Sequence, residues 1–314
     1  MPTDMTGSIL FVPSVRDSQW VPRLLPGYSP AELPIAGRRI IDFELEHAVK
    51  SGAVLTGVLD WHYSESLARE FRNPEEKGYS VFYDRWDGDM PRGLDDLAKK
   101  SSPLTGDISD GLVVIWGICL SAHIPENESL QELTPQETAD TPMGVYRRVG
   151  GRWMRVRPYG TAIRNVKTWH RVNLAVLHAP GIFTLPCYSA EENVHLGRNV
   201  VLEQGVEVKS PVLLSDNTWF ARNVRLDGNV IVFSGSFVGE GARLRRTIVG
   251  RDTYIGTGLD LEQKIVIGRR IIDVETGAWL DMEEPGLARD IGGGFGWIKA
   301  IWRFLRGRSY GRLG

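Results

Sequence analysis

The sequence predicts an α/β domain built on a parallel sheet, followed by a parallel β-helix. Three observations carry this reading. An aliphatic or aromatic residue returns every six positions between Val194 and Ile267. Ahead of that stretch, short apolar runs alternate with helical patterns, as strands joined through helices do. The length, 314 residues, suits about two domains.

Ser8 to Val12 is an apolar run that ends at Pro13, which suits a buried first strand followed by a loop. From Ile40 the period changes. Ile40, Ile41, Phe43, Leu45, Ala48 and Val49 share one side of a helix that stops at Ser51-Gly52, and Asp42, Glu44 and Glu46 are expected on its wet side. A strand over Ala53 to Leu59 follows. Next come a helix near Glu65 to Phe71, a strand at Tyr79 to Tyr83, a helix around Leu94 to Lys99 and a strand at Leu112 to Trp116. Beyond an acidic stretch from Glu126 to Asp140, Gly144 to Val149 and Arg152 to Arg157 read as a hairpin turning at Gly150-Gly151. Lys167 to Leu177 reads as a closing helix, broken at Ala179-Pro180-Gly181.

The six-residue column runs Leu196, Leu202, Val208, Leu214, Phe220, Leu226, Val232, Val238, Leu244, takes one five-residue step to Val249, and resumes at Ile255, Leu261 and Ile267. A second column lies two residues ahead, with Val194, Val200, Val206, Val212, Val224, Val230 and Ile265. A period of six belongs to a parallel β-helix, whose short strands meet at turns and whose coils stack. Gly, Asn, Asp and Ser fill the turns, for example Asn199, Gly205, Asn217, Asn223 and Asp252, because these residues accept a left-handed backbone. At about three hexads per coil, the stretch makes roughly four coils.

Composition sets further bounds. The chain is 42% apolar and 24% charged with a formal net charge of -2, so no whole-chain field attracts nucleic acid. Cys119 and Cys187 lack metal-ligand spacing and read as reduced, packed thiols. No apolar run approaches the roughly 18 residues that span a bilayer, and Met1 to Gly7 lacks a signal-peptide pattern, so a cytoplasmic location is expected.

Within this order of elements, Ser29-Pro-Ala-Glu-Leu-Pro-Ile-Ala-Gly-Arg-Arg-Ile-Ile-Asp-Phe-Glu-Leu-Glu-His-Ala is similar to the entry into the second helix of the sugar-1-phosphate nucleotidyltransferases. Gly78 to Asp84 and Leu112 to Gly117 fall where that family has its next strands. The chain resembles this family up to about Pro285, though only its first sixty residues and the β-helix match by motif. The resemblance implies a nucleotidyltransferase-like, Rossmann-like α/β sandwich over 1–183 and a left-handed hexapeptide β-helix over 184–285, after which the composition shifts to a Gly hinge and a basic amphipathic tail over 286–314. It also implies a nucleotide-sugar or sugar-phosphate ligand, magnesium where the enzyme is active, and oligomers with a second copy or a paralogous subunit.

Nucleotidyl transfer needs a triphosphate cradle and a divalent metal, since positioning and electrostatics supply most of the rate. The family's Gly-rich loop after the first strand is replaced by Phe11-Val-Pro-Ser-Val-Arg-Asp; Pro13 has no N–H and Val15 adds bulk. Ala31-Glu32 stands where the family has a basic residue, and a carboxylate there repels phosphate. Ile118 and Cys119 stand where the family has a metal-binding carboxylate, and magnesium wants oxygen. No catalytic residue and no metal ligand is therefore assigned. The residues left to contact a nucleotide are Ser14, Arg16, Arg38, Trp116 and Gly117, and those left for a sugar are Arg155 and Asn173. Trp153, Arg157 and Tyr159 extend the strand end that carries Arg155.

Other clusters are read as structure. Asp84, Asp87 and Asp89 make a solvated loop, His195 a surface histidine in the first coil, and His170 and His178 packing groups on the closing helix. A catalytic His195 would instead mark a hexapeptide acyltransferase. The tail at 295–314 carries Lys299, Arg303, Arg306, Arg308 and Arg312 and no acidic residue. On a helix it would place Trp297, Ile298, Ile301, Trp302 and Leu305 on one side, suited to a cap on the β-helix, an oligomer contact, or a membrane surface or membrane enzyme. The expectation is a nucleotidyltransferase-like protein of nucleotide-sugar and surface-polysaccharide metabolism that has lost its chemistry and regulates or scaffolds. An active nucleotidyltransferase with atypical phosphate contacts is the alternative, and an acyltransferase the third reading.

Overall fold

The structure is a computed structural model that describes residues 8–13, 15–50, 55–71, 80–85, 93–97, 111–120, 129–157, 160–178, 184–283 and 286–291. The chain forms two compact units, one of Met1–Pro34 with Arg38–Thr168 and one of Ile35–Gly37 with Trp169–Gly314. The first is the expected α/β sheet and the second the expected β-helix.

In the first unit, β1 (Ser8–Val12) is followed by the short helices α1 (Val15–Ser18) and α2 (Trp20–Leu24) and by a 3-10 turn, Pro30–Glu32. A two-stranded ribbon, β2 (Pro34–Ile35) and β3 (Arg38–Arg39), leads into α3 (Ile40–Lys50). Then come β4 (Leu55–Asp60), α4 (Glu65–Glu70), β5 (Ser80–Arg85), a helical turn over 94–97, β6 (Val113–Trp116) and β7 (Cys119–Leu120). The unit ends with β8 (Ser129–Glu132), α5 (Pro135–Ala139), the hairpin β9 (Gly144–Val149) and β10 (Arg152–Arg157), β11 (Thr161–Ala162) and the start of α6 (Val166–Leu177).

Seven strands make one sheet in the order β5-β4-β1-β6-β9-β10-β8. The first four are parallel, and β9, β10 and β8 each run antiparallel to their neighbour. The central strands are apolar on both sides because a parallel sheet is covered on both faces. Leu10, Val12, Val114, Trp116, Tyr146 and Trp153 form one layer with Leu94 and Leu97, while Ile9, Phe11, Val113 and Ile115 alternate to the other face and are also buried. One expectation for α3 is corrected here. Glu44 is buried at 1% exposure, and Asp42 and Glu46 are engaged by Arg39 and Arg38, so the three do not form a solvated face.

The second unit is a three-sided parallel coil. Its first face stacks β13 (Val194–Leu196), β16 (Val212–Leu214), β19 (Val230–Val232), β22 (Ile248–Val249) and β25 (Lys264–Ile267). That face is flanked by antiparallel β12 (Tyr188–Glu191) at one edge and by β26 (Arg270–Asp273) and β27 (Trp279–Asp281) at the other. The second face stacks β14 (Val201–Leu202), β17 (Trp219–Phe220), β20 (Phe237–Val238) and β23 (Thr253–Ile255), with antiparallel β28 (Ala288–Asp290) closing it. The third stacks β15 (Glu207–Lys209), β18 (Arg225–Asp227), β21 (Arg243–Arg245) and β24 (Asp260–Glu262).

The inward columns agree with the sequence pattern up to Leu261: Leu214, Phe220, Leu226, Val232, Val238, Leu244, Val249, Ile255 and Leu261 share one core. Beyond it the expected register is off by one. Val249 pairs with Val266, so Val266 enters the core, while Ile267 and Ile265 do not hold the column places expected of them. The cause is one corner. Coil partners lie 18 residues apart at Lys209 and Asp227 but 17 apart at Arg245 and Glu262. The corner between the third and first faces drops one residue at Arg246 and again at Gln263, and both take a left-handed backbone, with φ of 49° and 51°. Elsewhere Asn199, Asn217 and Asn223 fill left-handed corners at φ near 57–58°.

The three outer faces differ. On the first, Leu213, Ile231, Ile248 and Ile265 are fully buried on the outside of the coil. α6 is fastened beside it, His170 Nε2 meeting the Arg246 carbonyl at 2.7 Å and His178 Nε2 meeting Asn229 Oδ1 at 2.9 Å. The second unit takes up the chain again at Trp169, inside α6. On the second face Trp219, Phe237 and Tyr254 stack with centroids 6.4 and 5.6 Å apart. The third is charged and exposed, with Asp227 between Lys209 and Arg243, and Arg245 on Glu262.

Candidate functional site

In an open α/β sheet a ligand sits beyond the carboxyl ends of the strands where the strand order reverses. Here β1 lies between β4 and β6, so the reversal is between β1 and β6, and Val12 and Trp116 are their paired last residues. Gly117 and Met143 border that place. The Gly117 N–H donates to the Val12 carbonyl at 2.8 Å, extending the β1–β6 ladder one step past the strands. Gly117 has φ +83°, and a Cβ added there would stand 2.7 Å from Met143 Cγ, so the Met143 side chain lies directly against it. Pro13, Trp116 and Met143 are all buried. Ile118 and Cys119, which stand where a metal-binding carboxylate is expected, have no exposed surface. Burial holds the Cys119 thiol protonated, and its Sγ points at the Trp116 carbonyl at 3.6 Å. This donor set does not fit magnesium, which takes oxygen ligands.

A polar centre lies at the carboxyl end of β4. Asp60 is fully buried and accepts from the His62 N–H at 3.1 Å, with Tyr83 Oη at 3.5 Å from its other oxygen. Burial pushes its carboxyl up to about 7. Glu32 turns inward from the 3-10 turn at 7% exposure, where it accepts from the Ser29 N–H at 3.1 Å and from Ser66 Oγ at 2.6 Å. It thus caps its own turn, because a carboxylate three residues after Ser29 reaches back to that residue's N–H. The expectation of a carboxylate presented to a phosphate is corrected accordingly.

No family model matches the chain. It is similar to the UTP–glucose-1-phosphate uridylyltransferase of Synechocystis sp., 27% identical over 134 residues, which is 42% of this chain and 32% of that protein. The chain is thus similar to a nucleotidyltransferase over the matched stretch alone. It spans about a third of the length of that relative.

Of the residues expected at a nucleotide and sugar site, Trp116 and Gly117 lie at this end of β6, and the others that the structure describes make contacts within the protein. Arg16 is exposed on α1 and meets Asp140 at 3.4 Å, both side chains more than two-thirds exposed. Ser14 lies outside the described residues, as do Asp87, Asp89, Tyr159 and the tail at 295–314. Arg38 donates to Glu46 at 2.8 Å and lies 4.6 Å from the Phe43 ring centroid. Arg155 donates to Glu137 at 3.0 Å and stacks over Tyr146, its side chain 13% exposed.

Asn173 has no exposed surface; its Oδ1 accepts from the Ala36 N–H at 2.8 Å and its Nδ2 donates to the Trp169 carbonyl at 3.0 Å. It is a strut of the second unit, holding Ala36 in a left-handed conformation at φ 45°. Its amide is thus fully buried and bonded on both sides within the protein. The surface expectation for His195 is corrected too. It is 4% exposed on β13, and burial lowers its basicity.

Sequence reasoning missed Asp60, Tyr83 and Met143. Asp60 carried a usable signal, a carboxylate ending the apolar run Val-Leu-Thr-Gly-Val-Leu next to the first strand. Met143 carried none, since its contact with Gly117 joins distant segments.

Proposed function

We propose that the chain is a sugar nucleotidyltransferase-like protein that lacks nucleotidyl transfer and acts as a regulatory or scaffolding subunit in nucleotide-sugar metabolism. The observation that supports this is the end of β1 and β6, where the Gly117 N–H is bonded to Val12 and Met143 lies against Gly117. A triphosphate cradle needs backbone N–H groups turned toward the ligand. At this end Pro13 has none and Gly117 has committed its own. Ile118 and Cys119 add no oxygen for magnesium.

The partner of such a subunit is a second copy or an active paralogous subunit, and the tail at 295–314 offers basic and aromatic residues for a partner or a membrane surface. Calorimetry and a pyrophosphate-release assay on the full chain test the reading, with magnesium and each nucleoside triphosphate in the presence of sugar 1-phosphates. No heat of binding and no metal-dependent release are expected. Turnover with any pair would replace this reading by that of an active enzyme using atypical contacts from Arg16 and Ser14. Vesicle flotation of the chain with and without 295–314 tests the tail; equal behaviour removes the membrane role.

A further inference from the structure

The β-helix ends unevenly. Beyond the last full coil the first face runs on for two strands, β26 and β27, and the second for one, β28, while no strand follows β24 on the third among the described residues. Ile271 pairs with Val266 of the core and with Leu280, so Leu280 falls on the core side of this overhang. Ile271, Met282 and Leu259 pack against the core there and are only half-buried, and Leu280 is 65% exposed. On the other side of the overhang an apolar row runs through Leu213, Ile231, Ile248, Ile265 and Ile272. It is buried throughout and then ends at Trp279, which is 60% exposed. The edge of β27 is unpaired among the described residues and carries both exposed side chains. A solenoid end with an open edge and apolar surface calls for a cover.

Two observations identify the cover. The first is the path of the chain. β28 runs antiparallel to β23 toward the corner between the first and second faces, where the Ile291 N–H donates to the Asp252 carbonyl at 2.7 Å. The chain thus leaves the β-helix at this end, on a strand that touches β25 and β26. Gly292 to Gly294 add at most about 10 Å, so the overhang is within reach of the segment that begins at Phe295. The opposite end of the coil, where Tyr188 and Leu202 are exposed, lies about four strand spacings of about 4.8 Å away.

The second observation is charge. Leu259 to Glu283 carries Asp260, Glu262, Asp273, Glu275, Asp281 and Glu283 against Lys264, Arg269 and Arg270. The tail at 295–314 carries Lys299, Arg303, Arg306, Arg308 and Arg312 and no acidic residue. On a helix its Trp297, Ile298, Ile301, Trp302 and Leu305 would share one side. An apolar side flanked by cations complements an apolar seat with an acidic rim.

We infer that 295–314 docks on the last coil of its own chain, with its apolar side against Leu280, Met282 and Ile271 and its cations toward the carboxylates of 260–283. The docking holds whether or not the chain transfers nucleotides. A partner or a membrane surface then has to displace the tail from this seat.

Hydrogen exchange by mass spectrometry and carbodiimide cross-linking, both on the full chain, test the docking. Carbodiimide joins a lysine to a carboxylate in contact with it, and Lys299 is the one lysine of the tail. Links from Lys299 to Asp260, Glu262, Asp281 or Glu283 are expected at monomer mass. Peptides covering 279–283 and 296–306 should both be protected in the wild type. Leu280→Glu puts a charge into the seat and should raise exchange of 296–306 at least about tenfold, the factor that burial of one leucine supplies. Ile301→Glu should do the same to 279–283. Tyr188→Glu at the opposite end is the control and should change neither. Peptides from 212–232 report whether the coil stays folded; should Leu280→Glu unfold it, Ile301→Glu decides. Four results would overturn the docking. These are exchange of 296–306 at the rate of an unstructured peptide, protection there unmoved by Leu280→Glu, Lys299 links only to carboxylates elsewhere in the chain, and protection that depends on another body. Protection only with vesicles of phosphatidylserine and phosphatidylcholine would give the tail to a membrane, and protection only at concentrations where the mass doubles would give it to a second copy.

Discussion

Replacing Gly117 by Ala tests the contact between Gly117 and Met143 directly. The backbone there has φ +83°, which costs an L-residue about 1–2 kcal/mol. The new methyl would stand 2.7 Å from Met143 Cγ and 3.2 Å from Met143 Cβ. Because Cβ moves only with the backbone, rotation of the side chain relieves part of this overlap, and overpacking of this kind costs about 1–3 kcal/mol. Together the substitution should destabilise the first unit by about 3 kcal/mol. Urea unfolding followed by hydrogen exchange of peptides from β1 and β6 gives the change for that unit alone.

The double substitution Gly117→Ala with Met143→Ala removes the overlap and leaves the backbone cost, so the two changes should be non-additive by about 1–3 kcal/mol. Additive costs, or an unchanged midpoint for Gly117→Ala, would mean that Met143 does not fill this place. Nucleotide affinity should not respond to either substitution.

Three further outcomes are expected. Asn173→Ala leaves the buried Ala36 N–H without its acceptor and should cost about 1–3 kcal/mol, read by thermal unfolding of the β-helix unit. Leu226→Ala should cost about 2–5 kcal/mol, since its side chain has no exposure in the coil core. Arg225→Ala on the same strand, where an exposed pair with Glu207 spans 3.6 Å, should cost under about 1 kcal/mol, and equal costs would contradict the inward and outward assignment. Asp60 binds its proton in the folded chain up to about pH 7 but only up to about 4 when unfolded, so its own contribution to stability is fully present below about pH 4 and declines as pH rises toward 7. The decline approaches about 4 kcal/mol at about 1.4 kcal/mol per pKa unit, and urea titrations of Asp60→Asn should lack this share of it.

The β-helix was legible because its side chains alternate against a single narrow core, so burial prints directly onto the spacing of Leu214, Phe220, Leu226 and Val232. The second shortened corner at Gln263 was not. Ile265, Val266 and Ile267 are all aliphatic, and any of the three satisfies a column by composition, while only strand pairing selects Val266. The order of elements in the α/β unit was likewise legible from short apolar runs.

Burial of polar residues was less so. Glu44 and His195 sit in patterns that read as wet surface, and only tertiary packing covers them. At the candidate site the substitutions Pro13, Glu32 and Ile118 were visible as residue types. The destination of Glu32 was only partly visible: the Ser29-to-Glu32 spacing permits a cap, but its bond to Ser66 crosses to α4.

The proposed loss of nucleotide binding rests on backbone groups as well as on a side chain, and the two can be separated. Met143→Ala would open space against Gly117 without altering the Gly117 N–H bond to the Val12 carbonyl or giving Pro13 a donor. Space alone does not hold a triphosphate, because desolvating its charge requires hydrogen bonds in return. Calorimetry of Met143→Ala with magnesium and UTP should therefore show no gain in binding over the wild type, while the vacated volume costs about 2–5 kcal/mol of stability. A gain of micromolar affinity from this single truncation would show that the phosphate grip is intact beneath the side chain. The chain would then be a nucleotide-binding protein held shut by Met143, and the loss of chemistry argued from Pro13 and Gly117 would be refuted.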